Sequence, residues 1–124
     1  MNIVGSSGWL EYFADSPKAQ FFAEAIENTT DLIVPSITIY GVFKRVLQLR
    51  DEEEALQAIA LMKQGRVVDL DESLAMSAAK ISHVSKIPMA DSIILATANC
   101  FKATLWTQDI DLRDFDNVQY VAKG

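Results

Sequence analysis

Met1-Asn2-Ile3-Val4-Gly5-Ser6-Ser7-Gly8-Trp9-Leu10 opens the chain, and its short β-branched run passing straight into a helical pattern decides the fold class. A strand that ends where a helix begins presents side chains at its carboxyl end, which is where open α/β sheets bind ligands. Further strand-like runs follow at residues 32–34, 66–69, 104–107 and 118–121, with helical patterns between most of them. Such alternation calls for crossover units, and therefore for a mainly parallel sheet covered on both faces, a three-layer α/β/α sandwich. At 124 residues, half of them apolar, the chain is expected to form one domain over 1–124 with ample material for a core.

The helices are delimited by their caps. Ser16-Pro17 supplies an N-cap and a first-turn proline for a helix to about residue 26, and Pro35-Ser36 ends a strand and caps the next helix, expected over 38–49. Asp51-Glu52-Glu53-Glu54 begins a helix through residue 63, with its acids at the positive end of the helix dipole. Asp71 or Ser73 caps a helix to about residue 84, and Pro88 precedes one from near residue 90 to about 101. Trp9 and Trp106 read as core residues. No repeat, linker or low-complexity tract interrupts the pattern.

Composition narrows the function. Lys and Arg total 11 against 17 Asp and Glu, a formal net charge of -6, which excludes a protein that holds nucleic acid by diffuse electrostatics alone. Cys100 is the single cysteine; it has no partner for an intramolecular bridge, suits a reducing compartment, and reads as a small buried hydrophobe. No apolar stretch reaches membrane-spanning length and no basic segment precedes a long apolar one, so a cytoplasmic protein without membrane contact is expected. His83 has no acidic or cysteine companion at ligand spacing and reads as a helix-end residue.

The chemistry lies in acids and in two glycines. In the helix over 38–49, Ile39, Val42, Phe43, Val46 and Leu49 form the stripe expected to face the core. Gly41 lies off it, near Thr38, Lys44, Arg45 and Gln48. A glycine inside a helix costs about 1 kcal/mol relative to alanine, and on a polar face close packing is a weak reason for it. Pro88-Met89-Ala90-Asp91-Ser92-Ile93-Ile94-Leu95-Ala96-Thr97-Ala98 places an acid in the first turn of a helix otherwise built for burial. Thr104-Leu105-Trp106-Thr107-Gln108-Asp109-Ile110-Asp111-Leu112-Arg113-Asp114-Phe115 is a strand followed by acids in a loop. Taken singly, Asp91 reads as a cap or dipole partner and the loop acids as turn formers.

Together these segments resemble the PIN-domain nucleases, specifically the VapC-type toxins of bacterial toxin-antitoxin pairs, across essentially the whole chain. The resemblance rests on Ile3-Val4-Gly5-Ser6-Ser7, on Ser36-Ile37-Thr38-Ile39-Tyr40-Gly41-Val42-Phe43, on Ala90 to Ala98, and on Leu105-Trp106-Thr107-Gln108-Asp109 to Asp114-Phe115. It implies an acid at each of four positions, which here read Gly5, Gly41, Asp91 and Asp109, with Asp111 or Asp114 as additional acids. It further implies an Mg²⁺- or Mn²⁺-dependent endoribonuclease, a cognate antitoxin, an RNA substrate and a homodimer. Ser6, Ser7 and Thr107 would support the acids or metal waters. Lys44 and Arg45 are candidates for RNA phosphate contacts. Tyr12, Phe13, Phe21 and Phe22 are candidates for a partner surface.

A hard divalent cation takes oxygen ligands and needs anionic density in one place. With glycine at 5 and 41, Asp91 and Asp109 must coordinate alone, so weak metal binding and little or no cleavage are expected, as in an inactivated or naturally decayed enzyme. Without metal, this sequence is expected to be more stable than its Gly5→Asp, Gly41→Glu counterpart, because fewer like charges meet in the cleft. The rival reading is a non-catalytic pseudoenzyme that binds antitoxin or RNA. A receiver-like signalling domain fares badly, since Gly5-Ser6-Ser7 offers no acid after the first strand.

Overall fold

Five strands pair side by side in a computed structural model that describes residues 1–123: β1 (Asn2–Val4), β2 (Leu32–Pro35), β3 (Arg66–Val68), β4 (Thr104–Thr107) and β5 (Val118–Tyr120). Their order is β3-β2-β1-β4-β5, and every adjacent pair is parallel. The helices are α1 (Ser6–Phe13), α2 (Ala19–Ile26), α3 (Ser36–Leu49), α4 (Glu52–Met62), α5 (Glu72–Ser85) and α6 (Met89–Phe101). The three-layer α/β/α architecture expected from the alternation is thus present.

Register explains why both faces are greasy. Ile3 stands beside Ile33 on one side and Leu105 on the other, and these three point toward α6 in one core with Ile94, Leu95 and Ala98. Val4, Val34 and Trp106 alternate to the opposite face, where Trp9, Phe22, Val42 and Met62 of α1 to α4 form the other core. Each side chain sunk in this way contributes about 1.5–3 kcal/mol relative to exposure. Trp9 is buried in full, whereas Trp106 is half-buried and its Nε1 donates to Asn2 Oδ1 at 2.9 Å.

Caps set most helix starts. Asp51 and Asp71 accept from the backbone N–H of Glu54 and Leu74, each at 2.8 Å, so Asp71 rather than Ser73 opens α5. The start proposed at Ser16-Pro17 is corrected: α2 begins at Ala19, because Ser16 is spent in a turn, its Oγ accepting from Lys18 N at 3.2 Å and donating to Glu11 Oε2 at 3.0 Å. Pro35, not Ser36, is the N-cap of α3.

Three burial expectations also change. Leu49 is exposed, at the end of α3 in an open groove beside α1 and α4 rather than in the core. Cys100 is exposed rather than a core residue; the fully buried run of α6 stops at Ala98, and Phe101 takes the inward position of the last turn. Phe22 is wholly buried against Gly8 and cannot be part of a partner surface.

Candidate metal centre

The strand order reverses between β1 and β4. From β1 the chain leaves into α1 on the face carrying Trp9 and Phe22, whereas after β4 it turns to the other face, where Leu112 and Phe115 join the α6 core. A crevice opens between the two departures, at the carboxyl end of the sheet. Gly5 and Thr107 line its floor from β1 and β4. Gly5 N donates to Trp106 O at 3.0 Å, locking the two strand ends together.

Asp109 is set by its own backbone. Its N–H donates to Thr107 Oγ1 at 3.0 Å, while its carboxylate accepts from Asp111 N at 2.9 Å and caps the single 3-10 turn Ile110–Leu112. The aspartate is therefore a turn former, and the same turn aims it at α6. Asp91 occupies the first turn of that helix, where Ser92 Oγ donates to Met89 O at 2.7 Å and Thr97 Oγ1 to Ile93 O at 2.8 Å, hiding the hydroxyls of an otherwise apolar segment. One carboxylate oxygen each from Asp91, Asp109 and Asp111 lies within 4.8 Å of the others. Oxygens sharing one cation at roughly 2.0–2.6 Å stand no more than about 4–5 Å apart, so one hard cation can bridge all three.

The electrostatics agree. Burial pushes the Asp91 carboxyl up to about 7, helped by its hydrogen bond to Asp109 and by the charges of Asp109 and Asp111, with Lys123 opposing. A proton held between two carboxylates occupies the place where a cation would relieve the same repulsion. Gln108, only 6% exposed between Thr107 and Asp109, keeps an Oε1 without a hydrogen-bond partner among the described residues. The donor set fits Mg²⁺ or Mn²⁺.

The two glycines border the same crevice. A Cβ at Gly5 would sit 3.6 Å from Thr107 Oγ1, ordinary contact distance, and the Gly5 backbone (φ -65, ψ 159) is open to any residue. A Cβ at Gly41 would fall 2.6 Å from Ser6 Oγ and 3.0 Å from Ser6 Cβ. Positions 41, 6, 5, 107 and 109 thus form a chain of neighbours leading to the acids, and what faces Gly41 is a hydroxyl rather than apolar packing.

Other sequence candidates fall elsewhere. Asp114 stands outside the three-carboxylate group, exposed and bonded to Arg113 Nε at 3.3 Å, and Asp111 takes the third place. Lys44 and Arg45 are exposed on α3; neither forms an ion pair among the described residues, and Arg45 Nη1 donates to Gln48 at 3.2 Å. Of the four aromatics proposed for a partner surface, Phe21 packs against Trp106 with ring planes tilted by 60° and centroids 5.2 Å apart, and Tyr12 donates to Glu27 at 2.9 Å. Phe13 lines a groove of about 560 Å³ between α1, α3 and α4, together with Leu10, Val46, Leu49 and Leu61. Sequence reasoning missed Gln108 and Lys123. Nothing in their spacing marks them, since each matters only through the fold of the last strands.

Comparison with known proteins identifies the family and the fold. The PIN domain family model matches residues 3–118. No curated protein sequence matches. Among solved structures, a toxin-antitoxin complex from Klebsiella pneumoniae superimposes with a TM-score of 0.80 at 18% identity, covering 96% of each chain. The VapBC2 complex of Rickettsia felis, bound to a promoter DNA fragment, gives 0.74 at 13% identity, over 98% of this chain and 97% of that one. A sarcin-ricin-loop-cleaving VapC toxin of Mycobacterium tuberculosis gives 0.69 at 13% identity, over 90% and 91%. No helix among the described residues is long and apolar enough to cross a membrane.

Proposed function

Because this chain belongs to the PIN-domain family, we propose that it is the toxin component of a type II toxin-antitoxin pair, an endoribonuclease scaffold whose activity is lost or strongly impaired in this sequence. The observation that carries the reading is the meeting of Asp91, Asp109 and Asp111, from a helix start and a loop far apart in the chain, at the mouth of the sheet beside Gly5. The toxin-antitoxin structures among its fold relatives support the biological role.

In this reading Asp91 and Asp109 hold Mg²⁺ or Mn²⁺ with help from Asp111, and positions 5 and 41 are the vacated acids. Bound there, the ion supplies Lewis acidity that activates water and screens charge growing on the scissile phosphate. The chain's own residues do the positioning. Thr107 Oγ1 holds the Asp109 backbone, the 3-10 turn fixes the carboxylate, and the buried body of α6 keeps Asp91 at the crevice. Asp91 must release its proton before it can serve as an anionic ligand, which couples ion uptake to pH. Glycine at 5 and 41 supplies no charge, so the ion is held weakly. The antitoxin packs an apolar segment into the groove of Leu10, Phe13, Val46, Leu49 and Leu61, and the toxin itself is a cytoplasmic homodimer.

The Gly5→Asp, Gly41→Glu variant tests the assignment. It should cleave RNA with Mg²⁺ and stop when the metal is chelated; silence from this variant defeats the nuclease reading. The two glycines also favour a second reading, a binding module without catalysis. Titration with Mn²⁺ separates them: an ion retained in the unsubstituted protein and lost in Asp91→Asn marks a crippled nuclease, whereas tight partner binding with no ion marks the module.

A further inference from the structure

Exposed apolar side chains stand close along the chain to positions of the proposed centre, where a phosphate-binding site would be expected to carry bases. Tyr40, adjacent to Gly41, is 62% exposed; Met89, two residues before Asp91, is 71% exposed; Ile110, between Asp109 and Asp111, is 63% exposed. Each lies within two residues of a position of the proposed centre. Tyr40 differs from the other two because Lys44 lies one helical turn away, its Nζ 5.7 Å from the ring centroid. An aromatic face with a cation beside it presents two complementary features at once, a platform for a nucleobase and a positive charge for the phosphate attached to it.

We propose that Tyr40 is the base-stacking residue of this cleft, receiving an unpaired nucleotide next to the phosphate presented to Asp91 and Asp109. The inference rests on the nuclease reading above and adds to it a residue that recognises the nucleotide. Regular duplex does not fit the arrangement, because its bases are stacked on one another and show their edges rather than their faces. The chain's net charge of -6 makes the same point energetically. With little general attraction for phosphate, local stacking has to supply a large share of the affinity. Stacking is indifferent to which base arrives, so Tyr40 confers a preference for unpaired RNA rather than for a sequence.

The test measures fluorescence anisotropy of labelled oligo(A), single-stranded or annealed to oligo(U), with Mn²⁺ present, on the full chain and on the Gly5→Asp, Gly41→Glu variant in chelator. The single strand should bind more tightly than the duplex. Tyr40→Ala should weaken single-strand binding by roughly fivefold to a hundredfold, Tyr40→Phe should leave it within about twofold because the ring is kept, and duplex binding should not respond to either. Equal single-strand affinity for Tyr40→Ala and Tyr40→Phe overturns the proposal. So does a change in sedimentation of Tyr40→Ala with RNA affinity unaltered, which would make Tyr40 a contact between copies of the chain. If neither protein binds RNA at all, the nuclease reading falls along with the inference, whereas unchanged binding by Tyr40→Ala removes the inference alone.

Discussion

Gly5 and Gly8 lie three residues apart in the same opening stretch, yet they are glycines for different reasons. At Gly8 an added Cβ would lie 2.6 and 2.7 Å from the Phe22 ring and 2.8 Å from Val4 Cγ1, so α1 can approach α2 and β1 only without a side chain there. At Gly5 the nearest atom would be a hydroxyl at 3.6 Å, in an extended conformation that any residue adopts. One glycine belongs to the packed interior and the other to the mouth of the sheet. The interior explains its glycine and the mouth does not, which is what the loss of a functional side chain would leave behind. Gly41 stands between the two, with room set by a serine hydroxyl that can rotate.

The comparison can be broken first at Gly8. Gly8→Ala should cost about 1–3 kcal/mol through overpacking, visible as a lower urea midpoint with an unchanged slope; a neutral result would dissolve the distinction between interior and mouth. Next in size is the response of the mouth to pH. Because the folded Asp91 carboxyl is raised to about 7 from its ordinary value of 3.8, the native state binds the extra proton between those values. Stability without metal should therefore fall as pH rises from about 4 to about 7 and level off above. Asp91→Asn should flatten that part of the curve in thermal melts run in chelator, and an unaltered slope would show that the folded state does not raise the Asp91 carboxyl.

A finer contrast separates Gly5 from Gly41. Gly5→Ala should be neutral or stabilising by about 0.4–1 kcal/mol, since only the unfolded chain loses freedom. Gly41→Ala should gain less than the roughly 1 kcal/mol usual for a helix interior, because Ser6 must move, and pairing it with Ser6→Gly should recover the difference. Chemical denaturation of the three variants checks this; equal gains at both positions would mean that Ser6 offers no resistance. The smallest effect expected is the metal-free cost of restoring charge. In chelator Gly5→Asp, Gly41→Glu should melt below the unsubstituted protein through like-charge repulsion, and an equal or higher midpoint would contradict it.

The sheet, its parallel sense and nearly all helix boundaries are legible in the sequence, because burial on both faces writes period-two and helical patterns into every element. Ile3, Ile33 and Leu105 are apolar for a reason any reading of periodicity can recover. The errors sit where a local rule meets a tertiary one. Ser16-Pro17 has the chemistry of a helix start, but Ser16 is committed to Glu11 and Lys18; Leu49 and Cys100 sit at apolar positions of a helical pattern that the fold leaves facing solvent.

The acids divide in the same way. The resemblance to the PIN nucleases, read from motif order, marks Asp91 and Asp109 as residues of interest and 5 and 41 as positions where it implies an acid. Only the tertiary structure selects Asp111 over Asp114, brings Lys123 to bear on Asp91, and buries Gln108 with an unpartnered Oε1 among the described residues. It alone shows that a side chain has room at 5 and must displace Ser6 at 41. The physical reason is range. Patterning and capping act over a few residues along the chain and leave their mark in order and spacing. Carboxylate repulsion and steric room act across a few ångströms of space, between residues whose separation along the chain says nothing about whether they meet.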